Sequence, residues 1–350
     1  MKSSFFEYYN LDEAERSRIL REGILIFDAS SLLNLYQYSQ NTINSLLNVL
    51  EGNKERLWLP HQFAKEYHKN RLKEIRVQSK AYESSVQNLE NQLGNLISKS
   101  CVHPFLDVDD KAFRSINKNV KKIKQQLDQY KKDHPVWFRD DFIMDKITEF
   151  YNGKIGKISD IKIEDVLKEG EERGKNKIPP GYMDYKDKKG NDRFGDFIGW
   201  KEIINQAQTR GKDVVFIIDD IKEDWWLFDD PHTKRIVCPR PELIKEFKDL
   251  ANQNIIFYKM DRFLETISGF DLAVITEVKE KGRNLEINLS EQVSVSDSAE
   301  FIPILSAEPS EIIDKPEIKE VSFKEPVEEI EPTKMEAEPS VSLTREEEQK

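Results

Sequence analysis

Val214-Val215-Phe216-Ile217-Ile218-Asp219-Asp220 decides the fold. Five apolar residues without polar alternation describe a strand buried on both faces, as in a parallel sheet. The same pattern recurs in Ile24-Leu25-Ile26-Phe27, which ends in Asp28, and in Ile255 to Tyr258. Arg56 to Leu59 reads as a further short strand. Helical patterns lie between these runs: Leu11 to Arg21, Leu32 to Tyr38, Thr42 to Leu50, and a helix from Pro60 through Glu66 and Arg71. Proline suits a first turn. Another helix opens at Asp196, with Phe197, Trp200, Ile203, Ile204 and Ala207 on one side, and Pro241 to Ala251 and Arg262 to Ile267 close the set. Strands alternating with helices predict a mostly parallel sheet, which binds ligands at the carboxyl ends of its strands. Asp28 and the pair Asp219-Asp220 stand at two of those ends.

The middle of the chain has another period. Val86, Leu89, Leu93 and Leu96, then Phe113, Ile116, Val120, Ile123, Leu127 and Tyr130, recur at three- and four-residue steps, as amphipathic helices require. Cys101 to Asp110, which contains Pro104, reads as the turn between them. Residues of about 72–177 therefore predict a helical insertion built on an antiparallel hairpin, with further helices near Pro135 to Tyr151 and Asp160 to Gly174. Ile178-Pro179-Pro180-Gly181-Tyr182 breaks the pattern, and Lys186 to Arg193 reads as a polar loop. The basic stretch Lys118 to Lys124 has two readings. It is a solvated face, or it grips nucleic acid or a partner protein, a second copy of the chain included.

Composition bounds the remainder. The 350 residues are 34% charged and 38% hydrophobic, enough for a globular core under a very polar surface. A formal net charge of -11 argues against a polyanionic partner until its distribution is read. Residues 291–350 carry 17 acidic and six basic side chains, so the rest of the chain is neutral. A neutral body with basic patches can bind phosphate backbones. Six of the 14 prolines follow residue 300, among Glu, Ser and Val; such a composition buries too little apolar surface to offset chain entropy. The expected organisation is one domain over 1–270, a linker or hairpin over 271–289, and a disordered acidic tail over 290–350. No apolar run suits a bilayer and no secretory leader is recognisable, so no membrane partner is expected. Cys101 and Cys238 lack CxxC spacing, which excludes a disulfide framework and a Cys-rich zinc site and suits the cytoplasm. The five histidines lack zinc spacing. Neither a Walker loop nor a GxSxG elbow is present.

Taken singly, each candidate acid has two readings. Asp28 is a functional acid or a helix cap. Glu66, among Lys65, His68, Lys69 and Arg71, reads by itself as part of a solvated helix face. Asp196 suits an N-cap as well as a site. Two acids ending a buried strand are harder to explain as decoration, which favours function for Asp219 and Asp220. Four acids converging at one sheet edge would repel one another without a cation. Hard carboxylate donors select magnesium or manganese, and such ions serve phosphodiester hydrolysis. Asp184, after the Pro-Pro-Gly turn, is a fifth ligand or a turn acid. Arg71 and Lys222 hold substrate phosphate or pair with the acids. Trp225 and Trp226 stack on bases or pack in the core. Asn34 and Tyr36 support the Asp28 loop or simply pack.

Five segments in order then resemble the PIN-like domain family. Ile26-Phe27-Asp28-Ala29-Ser30-Ser31-Leu32-Leu33-Asn34-Leu35-Tyr36 resembles its first motif, and Trp58-Leu59-Pro60 with Glu66-Tyr67-His68-Lys69-Asn70-Arg71 its second. Pro180-Gly181-Tyr182-Met183-Asp184 with Phe194-Gly195-Asp196-Phe197-Ile198-Gly199-Trp200 resembles the third. Phe216-Ile217-Ile218-Asp219-Asp220-Ile221-Lys222-Glu223-Asp224-Trp225-Trp226 resembles the fourth, and Phe257-Tyr258-Lys259-Met260 with Phe263-Leu264 the closing strand and helix. The resemblance spans about residues 5–268 and is nearest to the large bacterial branch of the family, with a helical insertion between the second and third motifs. It implies a Rossmann-like α/β sandwich with an inserted helical arm. It also implies acids that bind magnesium or manganese and cleave RNA, less often DNA. Residue by residue, Asp28, Glu66 and Asp196 match the core acids and Asp220 the last acid, with Asp219 its neighbour and Asp224 a further candidate. Many members carry Thr or Ser two places before the last acid. Here that place holds Ile218, so a hydroxyl that could orient an acid or water is missing.

The leading expectation is a metal-dependent endoribonuclease, with phage defence or RNA turnover as roles by analogy. The alternatives are a DNA nuclease of the same fold and an inactive nucleic-acid or protein binding module. A phosphatase ranks last, because Ser30 stands where an aspartyl-phosphate enzyme needs a second Asp.

Overall fold

The computed structural model describes residues 1–100, 111–133, 136–230, 235–267 and 271–282. Helix α1 (Glu13–Glu22), capped by Asp12, leads into strand β1 (Ile24–Phe27), which is buried throughout. Helices α2 (Ala29–Leu33) and α3 (Gln40–Gly52) follow, joined by a short 3-10 turn over Asn34–Gln37. Helix α4 (His61–Ser100) is a single 40-residue element, about 60 Å long at 1.5 Å per residue. Helix α5 (Lys111–Asp133) packs against it, and Lys124 Nζ reaches Glu90 Oε1 at 2.7 Å. The turn expected over Cys101 to Asp110 lies outside the described residues.

Helices α6 (Phe142–Phe150), α7 (Ile163–Asn176), α8 (Tyr182–Asp187) and α9 (Gly195–Arg210) then lead to strand β2 (Val214–Ile217). Strands β3 (Trp226–Phe228) and β4 (Ile236–Pro239) form an antiparallel ribbon. Helix α10 (Pro241–Ala251), strand β5 (Ile255–Tyr258) and helix α11 (Met260–Thr266) follow, and residues 272–282 form helix α12. Among the described residues, no helix is long and apolar enough to cross a membrane.

The main sheet is parallel in the order β1-β2-β5, pairing Ile24 with Val214 and Val214 with Ile255. Strand β2 is therefore the central strand, which explains the lack of polar alternation from Val214 to Ile217. Its carboxyl end aligns with that of β1: Asp28 N donates to Ile217 O at 2.9 Å, and Ile218 N to Tyr258 O at 2.9 Å. Beneath lies an aromatic ladder. Phe216, Trp225, Trp200 and Phe257 have ring centroids 5.5–6.3 Å apart, within the range of favourable edge and offset contacts. Trp225 and Trp226 are both buried there, so core packing is their role rather than base stacking. Gly199 lets α9 approach α4, because the Phe63 ring occupies the place a Cβ would take.

Several local expectations are corrected. Arg56 to Leu59 is no strand: a 3-10 turn covers Lys54–Arg56 and only single parallel bridges follow, Leu25 with Leu57 and Leu59 with Ile155. Proline at 60 has no N–H to extend the ladder. The helix expected from Pro135 starts only at Phe142, because Asp141 caps it by accepting from Met144 N at 2.9 Å. The supposed loop Lys186 to Arg193 is partly helical, the end of α8 followed by a 3-10 turn over Gly190–Phe194. The antiparallel ribbon β3-β4 has no counterpart among the strands expected from the sequence. The segment 271–289, expected as a linker or hairpin, begins with α12. There Val274 and Val278, one turn apart, are buried. Glu277 accepts from Ser39 N at 2.6 Å and from Ser39 Oγ and Thr42 Oγ1 at 2.7 Å, holding α12 on the start of α3. The acidic tail lies outside the described residues.

Candidate active site

Asp28 follows β1 and caps α2. Its carboxylate accepts from Ser31 N at 2.7 Å and from Ser30 Oγ at 2.8 and 2.9 Å. The capping role and a site role are thus compatible, since the cap fixes the carboxylate at the sheet edge. Burial, reinforced by the charges of Asp219 and Asp220, pushes its pKa up to about 8.

The two acids after β2 part company. Asp219 accepts from Asn34 Nδ2 at 3.1 Å and from Met260 N at 2.9 Å, so it ties β2 to the start of α11. Asn34 thus supports Asp219 rather than the Asp28 loop. Asp220 turns instead to Lys222, whose Nζ stands 2.7 Å from its Oδ2. The same ammonium lies 2.8 Å from Asp184 Oδ1 and 3.2 Å from Asp196 Oδ2. Three carboxylates from three elements therefore meet on one lysine, their oxygens no farther apart than two such bonds end to end, about 6 Å. Burial opposes the Lys222 charge, yet the three carboxylates hold its pKa well above the ordinary lysine value.

Asp196 is the second residue of α9. Phe194 occupies the cap position, so the N-cap reading of Asp196 does not hold. Its place in the first turn still favours a negative charge through the helix dipole. Burial raises its pKa against the pull of Lys222. Glu66, on the first turns of α4, accepts from Gln62 Nε2 at 2.6 Å. Burial and then the charge of Asp196 push it up to about 7. It is not a freely solvated side chain. Gly195 lies directly beneath, and a Cβ there would collide with Glu66 Oε1. Gly195 thereby lets the second and third motifs touch.

Asp224 is fully buried. Its Oδ2 accepts from Gly181 N at 2.9 Å and Met183 N at 3.1 Å, bracing the turn that presents Asp184. Its Oδ1 has no partner among the described residues, and burial, then the charge of Asp196, pushes its pKa up to about 7. Arg71 is not brought to the cluster. It pairs with Asp141, which also accepts from Tyr36 Oη at 2.9 Å, while Tyr36 and Tyr67 share a 2.9 Å contact. That buried network anchors the base of the insertion, which is where Tyr36 belongs too. Lys188, which pairs with Asp184, gave no sequence signal of its own.

These acids have the chemistry of a hard-cation site, and burial, then neighbouring carboxylates, raises the pKa of Asp28, Glu66, Asp196 and Asp224. Among the described residues, no three acidic, imidazole or thiol side chains are grouped closely enough to hold a metal ion. Oxygens sharing one magnesium stand at most about 4 Å apart, closer than the Lys222 bonds require. The residue types suit a divalent ion, their spacing around Lys222 is wider than one ion would impose, and Lys222 is the cation that neutralises them in this arrangement.

The pH consequence follows from linkage. Unfolded, Asp28 and Asp224 return to about 3.8 and Glu66 to about 4.5. Between those values and about 7 to 8 the folded chain binds more protons than the unfolded one, so stability falls as pH rises. In EDTA the melting temperature should be higher at pH 6 than at pH 8, and manganese should raise it most at pH 8. A metal-free melt that rises from pH 6 to pH 8 would contradict this account.

A family model described as a PIN-like domain matches residues 24–243, more than half of the chain. No curated protein and no solved structure matches.

Proposed function

The chain belongs to the PIN-like domain family, and from that premise we propose that it is a magnesium- or manganese-dependent nuclease, an endoribonuclease before a DNA nuclease. The observation that carries this reading is the meeting of Asp184, Asp196 and Asp220 on Lys222 at the carboxyl edge of the sheet. Asp28 and Glu66 lie within electrostatic reach of the same charges. Asp28, Asp196 and Asp220 would hold the ion, with Glu66 completing the set and Asp219 holding its neighbour in place. A bound divalent ion supplies an activated water and neutralises charge developing on the scissile phosphate.

The chain's own residues do the rest. Ser30 and Ser31 keep the Asp28 carboxylate fixed, and Gly195 admits Glu66 to the cluster. Lys222 is the cation placed to meet a substrate phosphate; Arg71, engaged with Asp141, is not. The expected result with purified full-length protein is cleavage of labelled RNA that needs magnesium or manganese and is abolished by EDTA. The double variant Asp28→Asn, Asp220→Asn should lose it. No cleavage of RNA or DNA under any metal would leave a binding module, and equal cutting by the double variant would point to a contaminant.

A further inference from the structure

Helix α5 carries eight basic and two acidic residues over Lys111–Asp133. On its outer side Lys118, Lys121, Lys122 and Lys132 are exposed and share an arc of about 100° at 100° per residue. The opposite side holds Val120 and Leu127, which are half-buried. Lys124, at the flank, pairs with Glu90 and feels Asp128. Among the described residues, none of the four outer lysines has an acidic partner. Lys118 and Lys122 stand four residues apart, Lys118 and Lys121 three, spacings at which like charges destabilise a helix. Asp128 stands four residues before Lys132 and offsets that charge, but Lys118, Lys121 and Lys122 have no acid three or four residues away, so their mutual repulsion is uncompensated within the helix and a polyanion would relieve it.

The placement adds a second argument. Helix α4 carries Glu66 near one end and supports α5 along the other, so one continuous helix joins the acid cluster to the lysine stripe. The Lys124–Glu90 pair sets the antiparallel register. At 1.5 Å per residue, Lys132 lies about 24 Å from Glu66 along the axis and Lys118 about 45 Å. An A-form RNA double helix rising about 2.8 Å per pair covers that interval in about 9 to 16 pairs, and B-form DNA rising about 3.4 Å in about 7 to 13.

We propose that the outer face of α5 docks the phosphate backbone of a double-helical nucleic acid, about 9 to 16 pairs of an RNA duplex from the bond lying in the acid cluster. The contact is with backbone charge and is independent of base sequence. Four lysines spread straight over about 21 Å match a rigid rod rather than a coiled single strand. The distance rests on the nuclease reading; the docking surface does not, and its test is run without cleavage.

The test is fluorescence anisotropy with full-length protein in EDTA, using a labelled 24-pair RNA duplex over a series of potassium chloride concentrations. The variant K118Q/K121Q/K122Q/K132Q, in which glutamine keeps helix propensity, should bind at least about tenfold more weakly near physiological salt. Its plot of log affinity against log salt should be shallower by about 3.6, the share of four phosphate contacts on a duplex. The matching K118R/K121R/K122R/K132R variant should bind like wild type, and a 24-nucleotide single strand more weakly than the duplex. Unchanged affinity and slope in the glutamine variant would overturn the proposal. So would tighter duplex binding by that variant, which would make the chain's own acidic tail the occupant, or a preference for the single strand. A chain that cleaves nothing yet shows the lysine-dependent slope would keep the docking surface and lose the nuclease reading.

Discussion

Asp196→Asn should lower metal-dependent RNA cleavage by about 10³-fold or more, roughly 4 kcal/mol of transition-state stabilisation, and leave the fold intact. The carboxylate sits in the first turn of α9, beside Lys222 and within the field of Asp184 and Asp220. An amide keeps its shape and lets Lys222 retain its other two partners. It also removes a buried charge that the metal-free site holds at a cost. The variant's melting temperature in EDTA at pH 8 should therefore equal or exceed that of the wild type, a combination that a purely structural acid does not produce. Cleavage at the wild-type rate would remove Asp196 from the site. A melt lowered by several degrees would make its role structural.

The second large effect is expected at Lys222. Removing one partner from a buried ionic cluster costs about 3–5 kcal/mol. The Lys222 side chain keeps 25% of its exposure, so a reduced cost of about 2–3 kcal/mol is expected for Lys222→Met in metal-free protein. Asp184, Asp196 and Asp220 would then face one another without a cation. Two conditions should restore stability: pH 6, which protonates the neighbouring Glu66 and so lowers the negative charge around the three, and millimolar manganese at pH 8, which replaces the missing charge. Denaturant unfolding of wild type and variant in the four combinations of pH and metal measures this. A variant as stable as wild type at pH 8 in EDTA would show that the cluster tolerates its own repulsion. Destabilisation that neither acid nor manganese relieves would make Lys222 a packing residue.

The parts of this protein that could be read from the chain are those governed by local pattern. Unbroken apolar runs mark β1, β2 and β5 because a strand buried on both faces admits no polar alternation. The acids following two of them mark the working edge of the sheet. Helix periodicity gave α3, α9 and α10, and the hairpin pair α4 and α5. Failures of local reading have local causes as well. Asp141 looked like any acid in a charged insertion, yet it delays the start of α6 and captures Arg71. Val274 and Val278 gave too short an apolar signal to predict a helix, and α12 forms because α3 offers a capping contact and a surface to pack on.

Apolar runs and helical spacing in the sequence establish three parallel strands, their alternation with helices and a list of candidate acids. Which of those acids meet depends on how distant segments pack. Asp219 and Asp220 are adjacent in the chain and both polar, so no local rule separates them; their division follows from Asn34 and the start of α11 on one side and Lys222 on the other. Glu66 enters the cluster because Gly195, 129 positions away in the chain, leaves no Cβ in its path. Arg71 leaves it for Asp141. Such choices depend on contacts between residues far apart in sequence, whose energies appear only when the layers pack.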